Sequence, residues 1–257
     1  ASTELFHNIT FISADGNYSR DYNSTQYYYD SSTGSVTLNV TLENGLNRVN
    51  YGFFLDNCSL YNTTSLNVSF LNENSNPVNI NYEATVTYWY INSSNTKSYS
   101  TSTNSINNTM FCVYPSWISI TGDIQIKYTD SDNNIYDYFI FQHNFNDTIR
   151  NLNLFTQNGT TQVLFTVQTL DTTPVPDAYI HILKYNVGTG IYTTTEVIRT
   201  DSQGQSLGNI VLATTFYNFL IYYQGNLIYT ESGVKLITTT RTFTVSLEGT
   251  TWADNFQ

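Results

Sequence analysis

A chain of 257 residues is long enough to bury a sizeable core, in one large β domain or two of ordinary size. Charged residues are 11% of it, against about a quarter in an average soluble domain, while 22 Tyr and 15 Phe supply a core and exclude a disordered polar chain. Nine Lys and Arg against twenty Asp and Glu give a formal charge of -11, with no basic cluster, so a nucleic-acid partner is excluded.

The scarcity of charge of either sign also suits an acidic habitat, where protonated carboxylates leave solubility to hydroxyls, amides and sugars; compositional drift is the alternative. The start at Ala1-Ser2-Thr3 reads as a chain after signal-peptide removal, and truncation would look the same. No run reaches the roughly 18 apolar residues of a membrane span, and no anchor signal closes the sequence, so no membrane span is expected.

In chain order, residues 3–13 alternate so that Leu5, Ile9 and Phe11, with His7 between, share one face, and Asn8 and Thr10 the other. Ala14-Asp15-Gly16-Asn17 follows as a turn or hinge. A terminal strand with one apolar face can complete the sheet of a neighbouring copy, or it can be the first strand of its own sandwich. Residues 35–42, 65–70, 78–90 and 162–170 alternate in the same way and read as half-buried strands. Residues 124–128 and 135–141 flank a polar turn, Thr129 to Asn134, and read as a hairpin. No window carries a helical stripe.

Strands and turns at short intervals predict an all-β fold: two tandem Ig-like β-sandwich domains with an N-terminal donor strand. The expected divisions are 1–14 for the strand and hinge, 15–158 for a first sandwich and 159–257 for a second. Composition changes at the second boundary. The eleven Asn-X-Ser/Thr sequons, Asn8, Asn17, Asn23, Asn39, Asn57, Asn62, Asn67, Asn92, Asn107, Asn146 and Asn158, all lie before it. Chance alone predicts about seven up to Thr160 and about one beyond. Covalent N-glycans are therefore expected, particularly at Asn17, Asn23, Asn92 and Asn107 in turn-like stretches, with unmodified turn asparagines as the alternative.

Cys58 and Cys112 are the only cysteines, each beside strand-like sequence. A single disulfide is the economical reading, and two buried free thiols the competing one. A zinc site needs more ligands than these supply.

After Gln157 come Pro174-Val175-Pro176-Asp177-Ala178-Tyr179-Ile180-His181-Ile182, Thr200-Asp201-Ser202-Gln203-Gly204 and Tyr217-Asn218-Phe219-Leu220-Ile221-Tyr222. This order resembles carboxypeptidase-regulatory-like and transthyretin-like sandwich modules over roughly the last 90 residues. The resemblance implies a fold and no activity. Independently of it, Pro174 and Pro176 punctuate a strand start, Asp201 and Gly204 shape a turn, and Ala178, Ile180 and Ile182 face a core.

Catalytic constellations are missing. His7, His143 and His181 are far apart, and no His-Glu-x-x-His, Gly-x-Ser-x-Gly, Ser-x-x-Lys or phosphate-cradling motif occurs. Asp130 to Asn134 is like a calcium loop but lacks its sixth-position glycine and twelfth-position glutamate, so it reads as a hairpin turn. Asp15, Asp30, Glu43 and Glu83 have no spacing that selects a glycosidase pair. No enzyme and no cofactor other than glycan is expected. Trp89, Trp117 and Trp252 are too dispersed for the exposed tryptophan line of a carbohydrate-binding module.

An alternating first strand, tandem sandwiches, dense sequons, Tyr/Asn/Thr-rich strands and scarce charge together resemble the subunit of archaeal thread-type surface filaments. The resemblance implies an extracellular, glycosylated homopolymer joined head to tail with neighbouring copies by donor-strand complementation, serving adhesion or biofilm formation. Leu5, Ile9 and Phe11 would then be the donor residues, with glycans coating the fibre. A non-polymerising secreted or S-layer-associated glycoprotein is the second expectation, and a ligand-binding Ig-like module or hydrolase accessory the third.

Overall fold

A computed structural model describes residues 53–90, 93, 96–114 and 119–247 in full, together with four earlier backbone strands. Residues 1–54 and 55–257 form two separate compact units. The first holds β1 (His7–Ser13), β2 (Gly16–Tyr22), β3 (Tyr27–Asp30) and β4 (Ser35–Leu38). These make two antiparallel ladders, β1 with β2 from His7↔Tyr22 to Ser13↔Gly16, and β3 with β4 from Tyr27↔Leu38 to Asp30↔Ser35.

The second unit opens within β5 (Phe54–Asp56) and continues through β6 (Thr64–Leu71), β7 (Ile80–Trp89), β8 (Thr96–Ile106), β9 (Asn108–Tyr114), β10 (Ile120–Thr129), β11 (Ile135–Phe145) and β12 (Arg150–Phe155). It ends with β13 (Thr161–Thr169), β14 (Tyr179–Asn186), β15 (Ile191–Arg199), β16 (Gln205–Ile210), β17 (Tyr217–Tyr223), β18 (Asn226–Val234) and β19 (Thr240–Val245). Among the described residues there is no helix. The chain is all-β, with its sheets packed as sandwiches.

One eight-stranded sheet, in the order β18-β17-β14-β15-β11-β10-β7-β8, runs through the whole unit. A four-stranded sheet, β12-β6-β9-β5, packs on its β11 to β8 half, and a three-stranded sheet, β16-β13-β19, packs on the other half. In the first sandwich Phe70 of β6 meets Tyr82 and Tyr128 at ring distances of 5.8 and 5.4 Å, and the Tyr82 hydroxyl bonds Thr109 of β9 at 2.8 Å. Alternation does the sorting here. Tyr82, Ala84, Val86 and Tyr88 of β7 are buried, whereas Glu83, Thr85 and Thr87 are exposed.

The second core is built on Phe165, Phe219 and Phe243, whose centroids lie 5.3 to 5.9 Å apart across the two sheets. Ala178, Ile180 and Ile182 are fully buried beneath them. Asp201 Oδ1 accepts from the N–H groups of Gln203 and Gln205 and closes the turn before β16. Gly204 has φ +68° there, and an added Cβ would meet the Val167 carbonyl at 2.5 Å, so glycine is required.

The two halves of the long sheet meet at one parallel bridge, Tyr138↔Val197. A single bridge is a weak backbone connection, and buried side chains supply the rest. Tyr128 OH donates to the Phe155 carbonyl at 2.9 Å, Gln157 N–H donates to Tyr136 OH at 3.1 Å, and Tyr217 OH donates to Gln157 Oε1 at 3.4 Å. Asn209 of β16 gives its N–H and Nδ2 to the two oxygens of Glu196 at 2.6 and 2.7 Å, and its Nδ2 also reaches the Ile135 carbonyl at 2.6 Å.

Phe219 sits at the centre of the second core, so Phe219→Ala should lower unfolding free energy by about 3 to 5 kcal/mol. Chemical denaturation measures this, and a loss below about 1 kcal/mol would mean the aromatic triad is not the centre of that sandwich.

Candidate functional site

Cys58 and Cys112 are joined, with Cα atoms 4.9 Å apart and 54 residues of separation. The bond ties the turn after β5 to the buried end of β9. Asp56 shapes that turn, its Oδ1 accepting from Cys58 N–H at 2.9 Å and its Oδ2 from Leu60 N–H at 2.7 Å. Cys58 itself has φ +65°, a strained setting that the carboxylate and the disulfide hold. Chain-entropy reasoning for this loop assigns the cross-link about 4 kcal/mol.

The sequon asparagines fall into three groups. Asn57, Asn62, Asn107 and Asn158 are exposed. Asn107 occupies the turn between β8 and β9, as its polar surroundings predict. Asn67 and Asn146 are half-buried. Asn67 lies in the middle of a side-chain ladder across three strands: its Nδ2 donates to Asn151 at 2.9 Å and its Oδ1 accepts from Asn108 at 2.8 Å. Asn146 Oδ1 accepts from the N–H of Thr148, the hydroxyl residue of its own sequon, at 2.8 Å. Asn8 and Asn17 fall in β1 and β2, and Asn23, Asn39 and Asn92 lie outside the described residues.

Of the apolar donor candidates, Ile9 and Phe11 lie in β1, opposite Arg20 and Tyr18 of β2, and Leu5 lies outside the described residues. The segment read as a turn or hinge closes a hairpin, since Ser13 pairs with Gly16. Among the described residues the ladder of β1 with β2 is a two-stranded sheet of its own.

Among the described residues no group of three His, Cys, Asp or Glu side chains is placed to hold a metal ion. Asp130 spends its oxygens within its own turn, Oδ1 on the N–H groups of Asp132 and Asn134 and Oδ2 on Asn134 Nδ2 and Tyr136 OH. Glu196, which no sequence pattern marks, is 1% exposed. Burial raises its pKa to about 8, against the opposing pull of the Asn209 donors. Burial likewise lowers His143 and His181 to about 4, and the Arg150 guanidinium beside His143 adds to its shift. Among the described residues no helix is long and apolar enough to cross a membrane.

A scan of protein-family models finds no match to the chain, and a search of curated proteins finds none either. Solved structures give distant likenesses. A streptococcal ancillary pilin is 13% identical, with 70% of this chain and 67% of that one covered and a TM-score of 0.27. The shaft pilin SpaA of Lactobacillus rhamnosus GG is 10% identical over 71% of this chain and 97% of that one, also at 0.27. The major pilin subunit BcpA of Bacillus cereus is 9% identical over 95% of both chains at 0.22. Scores of this size do not put the chain in a common fold with any of the three.

The shifted groups set a pH dependence. Glu196 binds its proton more tightly folded than unfolded, so its contribution is full below pH 4.5 and is lost as pH rises through about 8. His143 and His181 are held neutral, so theirs is full above pH 6.5 and is lost as pH falls through about 4. Stability from these three groups should peak near pH 6.5. Glu196→Gln should flatten the decline between pH 6.5 and 8 and steepen the rise between pH 4.5 and 6.5, where loss of the Glu196 contribution opposes the gain from the two histidines; thermal denaturation from pH 4.5 to 8 checks it, and an unaltered alkaline limb would remove Glu196 as its cause.

Proposed function

We propose that this chain is a non-catalytic subunit of an extracellular, glycosylated filament of the archaeal thread type. Copies join head to tail when the alternating N-terminal strand of one completes a sheet of the next, and the filament serves adhesion or biofilm formation. The observation that supports this reading is that β1, among the described residues, is bonded to β2 in a two-stranded sheet of its own. A strand paired on one side keeps an open edge, and backbone bonds along such an edge give affinity while alternate side chains give register. Leu5, Ile9 and Phe11 are the apolar side chains that enter the acceptor.

Glycans at Asn57, Asn62, Asn107 and Asn158 fit the reading, because these side chains are exposed and a bulky sugar on them displaces no core contact. Asn67 is different. Its amide is engaged on both sides by Asn108 and Asn151, so a sugar there must displace part of the ladder. Glycopeptide mass spectrometry of native material should find the four exposed sites largely occupied and Asn67 sparsely so. Four bare exposed sites would defeat the glycoprotein component.

Assembly is tested by removing residues 1–13, and separately by placing Asp at both Ile9 and Phe11. Electron microscopy should then show soluble or aggregated subunits and no filaments, and a peptide of residues 1–13 should raise the melting temperature of the truncated chain. Normal polymerisation of the truncated chain would defeat strand donation through this terminus and bring the non-polymerising surface glycoprotein forward.

A further inference from the structure

An open groove of about 640 Å³ lies where the two sandwiches of the second unit meet. Its walls are the tip of the β14–β15 hairpin, the turn between β6 and β7, and the loop leading into β17; the segment after β12 forms its floor. The volume is within the range of small-molecule sites. These walls are held in place by their own hydrogen bonds. Asn186 Oδ1 accepts from the N–H groups of Gly188 and Thr189, Asn72 Oδ1 accepts from those of Asn74 and Asn76, and Tyr185 N–H donates to the Phe216 carbonyl at 2.9 Å.

The chemistry of the lining is specific. Glu73 and Lys184 are its only charged residues, and they pair with each other across the groove, which leaves the site without net charge. Apolar surface comes from Ile191, 59% exposed, and Phe216, 43% exposed, with Tyr185 beside them. The Lys235 ammonium sits 4.4 Å from the Phe216 ring centre and steadies it. Threonine and serine hydroxyls ring the opening. In the floor lies Gln157, 1% exposed, whose Oε1 accepts from Tyr217 and whose Nε2 has no hydrogen-bond partner.

We propose that this groove binds a neutral saccharide. Ring C–H faces lie on the apolar and aromatic surface, and sugar hydroxyls meet the exposed Thr189 and Thr214 with Thr193 and Thr215 beside them. The internally paired charges disfavour anionic or cationic ligands. One source of such a ligand is close by: Asn158, an exposed sequon asparagine, is the residue next to Gln157. The other is polysaccharide from the surroundings. This inference does not rest on filament assembly.

The test uses the full chain produced without glycans, titrated calorimetrically with maltotriose, mannotriose and N,N′-diacetylchitobiose, with trigalacturonate as the charged control. Saturable binding of a neutral sugar is expected, weaker by about tenfold in Phe216→Ala, the scale of one aromatic contact. Ile191→Asp should weaken it as well; both positions are exposed, and far-UV circular dichroism melts check that each variant folds. The glycosylated chain then identifies the source: binding that appears only after enzymatic deglycosylation, or in glycosylated Asn158→Gln, assigns the groove to the chain's own glycan, and binding in both forms assigns it to external sugar. No binding by any neutral sugar, equal binding by folded variants, or preference for trigalacturonate overturns the proposal. It is also overturned if a peptide of residues 3–13 binds the groove in place of sugar, which would make it a strand acceptor. Filaments counted by electron microscopy for Phe216→Ala should be normal, which separates failure here from failure of the assembly reading.

Discussion

The hydrogen bonds around Gln157 and Glu196 decide how the two sandwiches of the second unit are related. The backbone offers one bridge between the halves of the long sheet, whereas Tyr128, Tyr136 and Tyr217 bring hydroxyls to the segment that follows β12. Asn209 adds a second clasp, bonding Glu196 of its own sandwich and the Ile135 carbonyl of the other. Tyr128, Tyr136, Tyr217, Gln157, Glu196 and Asn209 are buried, so the loss of one of these side chains leaves another unpaired away from water, and that cost exceeds the modest net gain of an ordinary hydrogen bond. Gly208 belongs to the same construction. A Cβ there would meet Ile182 Cδ1 at 2.7 Å and Glu196 Oε2 at 3.2 Å, so its absence lets β16 approach the carboxyl. The groove depends on this seam, because Glu73 and Phe155 line it from one sandwich and Tyr185 and Phe216 from the other.

The same residues show how a chain so poor in charge builds a polar interior. Its buried polar groups are chiefly hydroxyls and amides, and the more deeply buried of its two buried carboxyls, Glu196, is held protonated at neutral pH by its surroundings. The ion pairs that do occur are at or near the surface. Lys127 with Glu83, 3.9 Å apart, and Arg199 with Asp177, 2.6 Å apart, are largely solvated and stabilise little. Folding stability is therefore carried by aromatic packing, the disulfide and neutral hydrogen bonds, none of which needs an ionised carboxylate.

Local pattern made much of the fold legible. The alternation of residues 78–90 gives β7 its buried and exposed faces, the polar stretch Thr129 to Asn134 is the turn between β10 and β11, and Asp201 with Gly204 shapes the corner before β16. Periodicity of two and turn chemistry act over a few residues, so the sequence displays them directly. The seam is of another kind. Tyr136 and Tyr217 look like any strand tyrosine, and only the tertiary fold shows that both converge on Gln157, 21 and 60 residues away. Glu196 was hidden by its run of threonines and valine, where nothing local distinguishes a buried carboxyl from a solvated one. The groove has no local signature, because Tyr185, Ile191 and Phe216 on its walls come from separate strands and loops.

The edges of the sheets bear on assembly from the opposite direction. β8 closes one side of the eight-stranded sheet and runs for eleven residues of mostly Ser, Thr and Asn, with Lys97 as its single charge. Long strand edges usually carry charge, proline or a bulge to discourage indiscriminate pairing. A chain with little charge has few such guards available. Asn107 is exposed in the turn at one end of this strand, so sugar there would stand at that end of the edge and restrict what can approach it. In the proposed filament, glycans would then confine pairing to the donated strand, and dense sequons and scarce charge would be two parts of one solution to the same edge problem.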